Sequence, residues 1–213
     1  AITGSAGKST VKEMITQVLS SAMPAAGTKG NWNNSVGLPL SMLAMEPTTR
    51  IGVFEMGTNH PGELAPLCRI LKPTWGVVTN IGPVHIEFFS SIDAIADEKA
   101  TLLRALPADG VAVLNRDSSC YELLRDAAPC RMISVSLSEG ADYSCVERSP
   151  DSARVVIKEA ASGETFAFNM PIPGEHNILN ALLTIAVARG HKMAWAAIRP
   201  PLECFSSLPM RWQ

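Results

Sequence analysis

Thr3-Gly4-Ser5-Ala6-Gly7-Lys8-Ser9-Thr10 is the stretch that decides how the rest of the chain reads. It follows an apolar stub, Ala1-Ile2-Thr3. It precedes a run in which Val11, Met14, Ile15, Val18, Leu19 and Ala22 recur at three- and four-residue steps, the signature of one helix face. The segment therefore joins a strand to a helix N-terminus. Glycines let backbone N–H groups converge on phosphate oxygens, and the helix end adds positive potential. Lys8 is placed to reach β- and γ-phosphates, and the Ser9 hydroxyl to ligate Mg²⁺. The pattern G-x-x-G-K-S is a short form, because the usual earlier glycine position holds Ile2. A ligand-free glycine turn would carry the same letters; the strand–loop–helix setting favours a nucleotide. Gly4, Ser5, Ala6, Gly7, Lys8, Ser9 and Thr10 are accordingly the first nucleotide-binding candidates, with ATP and Mg²⁺ as ligands.

Downstream, short apolar runs alternate with amphipathic stretches, which predicts an α/β fold: a P-loop-type, mostly parallel sheet flanked by helices. Strands are expected at residues 1–3, 51–54, 76–79, 111–114 and 132–135, and helices at 62–71 and 92–106. Between Asp142 and Met170 the pattern changes to three short strands separated by Ser149-Pro150-Asp151 and Ser162-Gly163, which predicts a small antiparallel sheet appended to the main one. A long helix is expected from Gly174 to Arg189, then a second from Met193 to Ile198 that ends before Pro200-Pro201.

The chain has 213 residues, 46% hydrophobic and 18% charged, as for a globular domain. A net charge of −2 provides no attraction to nucleic acid or to an anionic membrane, and no apolar run is long enough to span a bilayer. Five cysteines without a C-x-x-C pair suit reduced thiols in the cytoplasm. The phosphate loop starts three residues into the sequence, and the end at Arg211-Trp212-Gln213 is equally abrupt. Residues 1–213 are therefore expected to be one domain of a longer chain.

Three further residues invite chemistry. Glu55 closes the apolar run Ile51-Gly52-Val53-Phe54, on the side of a parallel sheet where ligands bind. It could meet the metal held by Ser9, or be an ordinary solvated strand-end glutamate. His85 follows the 76–79 strand through Asn80-Ile81-Gly82-Pro83; a lone histidine there could equally be structural. Lys99 falls in the apolar stripe Ile92, Ile95, Lys99, Leu102, Leu106. A buried ammonium is costly unless paired. Lys99 either snorkels to water or points into the site, where CO₂ could convert it to a metal-binding carbamate.

Taken together these segments resemble the Mur ligase family. Thr3 to Ser9 matches its T-G-x-x-G-K-[ST] loop, Gly30-Asn31-Trp32-Asn33-Asn34-Ser35-Val36-Gly37-Leu38-Pro39 its asparagine-rich stretch, and Gly174-Glu175-His176-Asn177-Ile178-Leu179-Asn180-Ala181 its later helix start. Leu208-Pro209-Met210-Arg211 is similar to the segment that closes the family's central domain. Glu55-Met56-Gly57-Thr58-Asn59-His60-Pro61-Gly62-Glu63 is very similar to the signature of the branch that adds D-alanyl-D-alanine. Folylpolyglutamate and cyanophycin synthetases share the loop but not this segment, and a non-catalytic nucleotide-binding module has no need of Glu55, His85 and Lys99 together.

The resemblance implies an ATP-dependent amide ligase of peptidoglycan precursor synthesis. ATP phosphorylates the carboxylate of a UDP-N-acetylmuramoyl tripeptide, and D-alanyl-D-alanine attacks the acyl phosphate. It implies that Lys8 binds phosphates, that Ser9 and Glu55 hold one Mg²⁺, and that His85 and a carbamylated Lys99 hold a second. Asn177 and Asn180 would lie near the adenine, and Arg211 near the ribose or phosphates. Asn31, Asn33, Asn34, Asn59 and His60 would face the substrate, although turn formation explains the first three and helix capping the Asn177–Asn180 pair equally simply. The substrate-gripping N-terminal domain and the C-terminal domain of that family are not expected within these residues. In one place the pattern departs: His85-Ile86-Glu87-Phe88-Phe89-Ser90-Ser91 has Phe88 and Ser90 where the family has glycines, and Thr101 stands where a glutamate commonly follows the lysine.

Overall fold

The computed structural model describes residues 1–151 and 153–206. The phosphate loop joins β1 (Ile2–Thr3) to α1 (Lys8–Ser20), and then come β2 (Ala25–Gly27), α2 (Gly37–Leu43) and β3 (Ile51–Val53). Next follow α3 (Leu64–Leu71), β4 (Trp75–Val78), α4 (Ile92–Arg104), β5 (Val111–Asn115), α5 (Tyr121–Ala127) and β6 (Arg131–Ser136). The chain continues through β7 (Tyr143–Arg148), β8 (Arg154–Glu159), β9 (Thr165–Asn169), α6 (Glu175–Gly190) and α7 (Trp195–Glu203).

One sheet runs β1-β4-β5-β6-β7-β8-β9, parallel as far as β7 and antiparallel beyond. The parallel pair β2–β3 joins it at β1: Ile2 N donates to Phe54 O (2.8 Å) and Met56 N to Ile2 O (2.8 Å). β1 is thus flanked by β3 on one side and β4 on the other. The chain leaves β1 toward β2 and β3 and then crosses to β4, so the crevice at the carboxyl end of β1 is a topological switch point, where α/β sheets bind ligands.

Side chains alternate across the sheet because successive Cβ atoms point to opposite faces. Val77, Val113, Ile133 and Val135 pack against α1, α6 and α7, whereas Val78, Ala112 and Leu114 meet α4 and α5. A third cluster joins Leu38 of α2 and Leu64 and Leu67 of α3 to Phe54 and Met56. Residues 177–188 of α6 are buried almost without interruption except at Leu179, so this helix is enclosed by the core on all sides.

As expected, the three strands after residue 140 are appended to the main sheet, continuing it at its β6 edge with antiparallel pairing. The strands and long helices expected from periodicity are present, with three differences. The helix expected from Gly62 begins at Leu64. β2, α2 and α5 form from segments too short to show a period. The last helix does not end before the prolines: α7 carries Pro200 and Pro201 within it, because Ile198 and Leu202, one turn apart and both fully buried, hold it on either side.

β8 is tied to α6 by Glu159, whose carboxylate accepts from Arg189 (2.7 Å), Tyr143 Oη (2.7 Å) and Ser162 Oγ (2.8 Å). These donors, the Arg189 guanidinium first, hold the Glu159 carboxyl down to about 2. A depressed carboxylate contributes stability that is complete above its unfolded value near 4.5 and is lost as pH falls toward 2. Replacing Arg189 by Met leaves a buried carboxylate unpaired and should cost about 3 kcal/mol at neutral pH. Urea unfolding across pH should show the gap between wild type and variant narrowing below about pH 4.5; a gap independent of pH would contradict this.

Candidate nucleotide and metal site

The loop between β1 and α1 has the backbone that its glycines permit. Gly4 has φ 147° and Gly7 φ 80°, and a Cβ on Gly4 would lie 2.0 Å from Thr79 Oγ1. The residues just after β4 hold the loop from below. Thr79 Oγ1 donates to Ala6 O (2.5 Å), Ala6 N to Asn80 Oδ1 (2.7 Å) and Ser5 N to Asn80 O (2.9 Å). The Lys8 ammonium lies across the loop on Gly4 O (2.9 Å).

Ser9, buried in the first turn of α1, donates to Glu55 Oε2 (2.5 Å), and Asn33 Nδ2 donates to Glu55 Oε1 (2.8 Å). Glu55 itself is 2% exposed, and its amide donates to Thr28 Oγ1 (3.1 Å). The expectation of a solvated strand-end glutamate therefore fails, and the carboxylate stands beside the Ser9 hydroxyl as the metal reading requires. Among the described residues no three His, Cys, Asp or Glu side chains converge into a ready-made cation cage. One carboxylate and one hydroxyl leave room for phosphate oxygens and water, a donor set that suits Mg²⁺ bound with a nucleotide.

A cavity of about 720 Å³ opens over the loop, and Gly4, Lys8, Glu55, His85 and Lys99 all line it. Lys99 is 5% exposed, so its stem does not carry the ammonium out to bulk water. Burial, with the Lys8 charge second, lowers its amine to about 8, while neighbouring Glu98 acts in the opposite direction. An amine near 8 is far more available as the free base than an ordinary lysine, which is the form that adds CO₂.

His85 has φ 60° and starts a single 3₁₀ turn, Ile86–Phe88. In the loop that lacks the two glycines, Phe88 lies outside with its ring 4.2 Å from His60, Phe89 is buried, and Ser91 caps α4 by accepting from Ala94 N (3.1 Å).

Of the residues expected to face substrate, Asn31, Asn33, Asn34 and Asn59 line the cavity. Asn33 is also committed to Glu55, and Asn34 Oδ1 accepts from Val36 N (3.1 Å) and Gly37 N (2.8 Å) at the start of α2. His60 is turned outward, half exposed, beside Phe88 and Glu63. At the start of α6, Asn177 and Asn180 are buried and bonded to each other (3.2 Å), and Asn177 Nδ2 donates to Pro173 O (2.9 Å). A Cβ on Gly7 would lie 2.8 Å from Asn180 Oδ1, so this helix start abuts the phosphate loop. Arg211 lies outside the described residues.

Glu98 is a residue that the pattern concealed. Its carboxylate accepts from Gly62 N (2.7 Å) and Leu64 N (2.9 Å), fastening the 59–63 segment and the N-terminus of α3 to α4. Its spacing from Ile95 and Leu102, three before and four after, was the available signal.

Strand, glycine loop, helix and a carboxylate beside the loop serine define a P-loop nucleotide-binding domain. The chain belongs to the Mur ligase family, whose model, described as the Mur ligase middle domain, matches residues 2–188. A UDP-N-acetylmuramoyl-tripeptide–D-alanyl-D-alanine ligase of Bacillus subtilis is 37% identical over 187 residues, 87% of this chain and 39% of that protein. The crystal structure of MurF from Acinetobacter baumannii superposes with a TM-score of 0.91 at 30% identity, over 100% of this chain and 47% of that one. MurF ligase from Thermotoga maritima in complex with ADP superposes with a TM-score of 0.83 at 26% identity, over 98% and 48%. The chain thus spans less than half the length of these relatives.

The Lys99 amine provides a direct check of the site's electrostatics. In CO₂-free buffer, competitive acylation should give Lys99 a midpoint near pH 8, against about 10.4 for an exposed lysine. Replacing Lys8 by Met removes a like charge and should raise that midpoint. A midpoint above 10, or one indifferent to Lys8, would contradict the placement of both amines on one cavity.

Proposed function

We propose that this chain is the ATP-binding domain of a cytoplasmic amide ligase that joins D-alanyl-D-alanine to a UDP-N-acetylmuramoyl tripeptide in peptidoglycan precursor synthesis. The observation that carries the reading is the convergence of Lys8, Glu55, His85 and Lys99 on one cavity above the phosphate loop, with Ser9 bonded to Glu55. Similarity to D-alanyl-D-alanine ligases over most of the chain supports the particular substrates, as does the Asn59-His60-Pro61-Gly62-Glu63 segment beside that cavity.

The physical task is to bring a carboxylate and a triphosphate together against their mutual repulsion. Lys8 and the loop amides hold the β- and γ-phosphates, and the Lys8 charge offsets the charge spread over the transferring phosphoryl group. Ser9 and Glu55 would hold one Mg²⁺, and His85 with Lys99 as its carbamate a second, because an ammonium repels a cation whereas a carbamate binds one. When bound, the ions supply further charge neutralisation on phosphate oxygens. Asn31 and Asn59 orient the tripeptide carboxylate, which attacks the γ-phosphorus; the O–P bond to ADP breaks and an acyl phosphate forms. The amine of D-alanyl-D-alanine then attacks the acyl carbon, phosphate leaves, and the amine proton passes to solvent or phosphate. Asn177, Asn180 and Arg211 are assigned to the adenine and ribose side of the nucleotide.

Because the relatives are more than twice as long, residues 1–213 alone are expected to ligate poorly. In the full-length protein, phosphate release should depend on D-alanyl-D-alanine and not on single amino acids. Lys8→Ala should reduce kcat by roughly 10²–10³-fold, the usual loss for one donor to a developing charge, and Glu55→Gln should weaken the response to Mg²⁺ while leaving the fold intact by circular dichroism. Phosphate release unaffected by Lys8→Ala, or supported equally by other amines, would contradict the proposal.

A further inference from the structure

Lys12 is the largest side chain in the described core with no exposed surface, and nothing in the proposed chemistry uses it. Its ammonium has three donors and finds three acceptors: Thr28 O (2.6 Å), Gly30 O (3.1 Å) and Glu13 Oε1 (2.6 Å). Two of these are backbone carbonyls in the strap that leaves β2 and carries Asn31, Asn33 and Asn34 over the site. A lysine sealed from water costs free energy that an apolar residue would not, so the role of its head group must be sought in what it holds.

The strap is fastened at both ends around Glu55, by its backbone at one end and by its carboxylate at the other. At its start, Thr28 Oγ1 accepts from the Glu55 amide and Thr28 N donates to Val53 O (3.0 Å). At its other end, Asn33 Nδ2 donates to Glu55 Oε1, and Gly57 N donates to Asn33 O (2.9 Å). Lys12 lies three residues beyond Ser9 on α1, and residues at that spacing share a helix face. One rigid helix therefore presents the Ser9 hydroxyl to one Glu55 oxygen and, one turn on, the Lys12 ammonium to the strap that holds the other.

We propose that Lys12 is a positioning residue: it sets the distance between the phosphate-loop helix and the asparagine strap, and through Asn33 it orients the Glu55 carboxylate for a magnesium–nucleotide complex. The proposal rests on the magnesium–nucleotide reading above. Lys12 touches neither nucleotide nor metal; it acts through Thr28, Gly30 and Asn33. Its sequence signal resembles that of Lys99, since Lys8, Lys12, Ile15 and Leu19 fall at steps of four, three and four, a charged residue in an inward-facing slot.

The test uses the full-length protein with Lys12→Met, which keeps the stem and removes the charge. Two quantities are read: the ratio of ATP dissociation constants in EDTA and in Mg²⁺, and amide hydrogen exchange of residues 29–36 without nucleotide. The expected result is a ratio smaller by about 10-fold or more, the usual loss when a residue behind a metal ligand is removed, with metal-free affinity within about twofold and faster exchange confined to the strap. A variant with a lower melting temperature but an unchanged ratio and unchanged strap exchange overturns the proposal, because that is the signature of a purely structural lysine. Should Lys12→Met not fold, Lys12→Arg, which keeps the charge but forces a larger head between Thr28 and Gly30, must shift both quantities in the same direction; no shift overturns it. If the wild-type protein binds ATP equally with and without Mg²⁺, the magnesium–nucleotide reading fails, and strap exchange still decides whether Lys12 holds the strap.

Discussion

A single carboxylate holds the site together. Glu55 is almost completely buried, and an ionised group there is tolerable only because each oxygen has a donor, Ser9 Oγ on one and Asn33 Nδ2 on the other. Those two donors come from different parts of the fold, the helix that follows the phosphate loop and the strap that follows β2. Satisfying one charge therefore fixes where two elements stand. The bridge between Ile2 and Glu55 then registers the carboxylate against β1, so loop, carboxylate and strap share one frame.

Around this anion the fold assembles cations. Lys8 lies on the loop and Lys12 beneath the strap, and Lys99 lines the same cavity as Lys8. Like charges brought close repel, and burial first, with the Lys8 charge second, lowers the Lys99 amine. Lys8 and, as the free amine, Lys99 line one cavity together with the Glu55 and Glu63 carboxylates.

The α/β architecture was legible because buried parallel strands and one-sided helices leave different periods in the letters. Val77 and Val78 face opposite layers, and the stripe through Ile95, Lys99 and Leu102 lies inward as its spacing demands. β2, with three residues, and α2, with seven, are held by tertiary bonds and leave no period to read. α7 runs through two prolines because burial of Ile198 and Leu202 outweighs local preference. The site was legible where chemistry and sequence adjacency coincide, as in the loop and in Glu55. Asn33 reads as a turn former or a substrate contact, and its bond to Glu55 appears only once β3 lies beside β1. Glu98 and Lys12 fall at inward-facing spacings in the letters, but what they hold is visible only once the neighbouring backbone is in place.

The central claim is that Ser9 and Glu55 mark one cation site at the mouth of the phosphate loop. Crystals of the full-length protein grown with Mn²⁺ and a non-hydrolysable ATP analogue test it directly through manganese anomalous scattering. The account expects a peak within coordination distance of Ser9 Oγ, or of a water held by Glu55, and of a phosphate oxygen lying over residues 4–9. A nucleotide bound with its manganese remote from both side chains would contradict it.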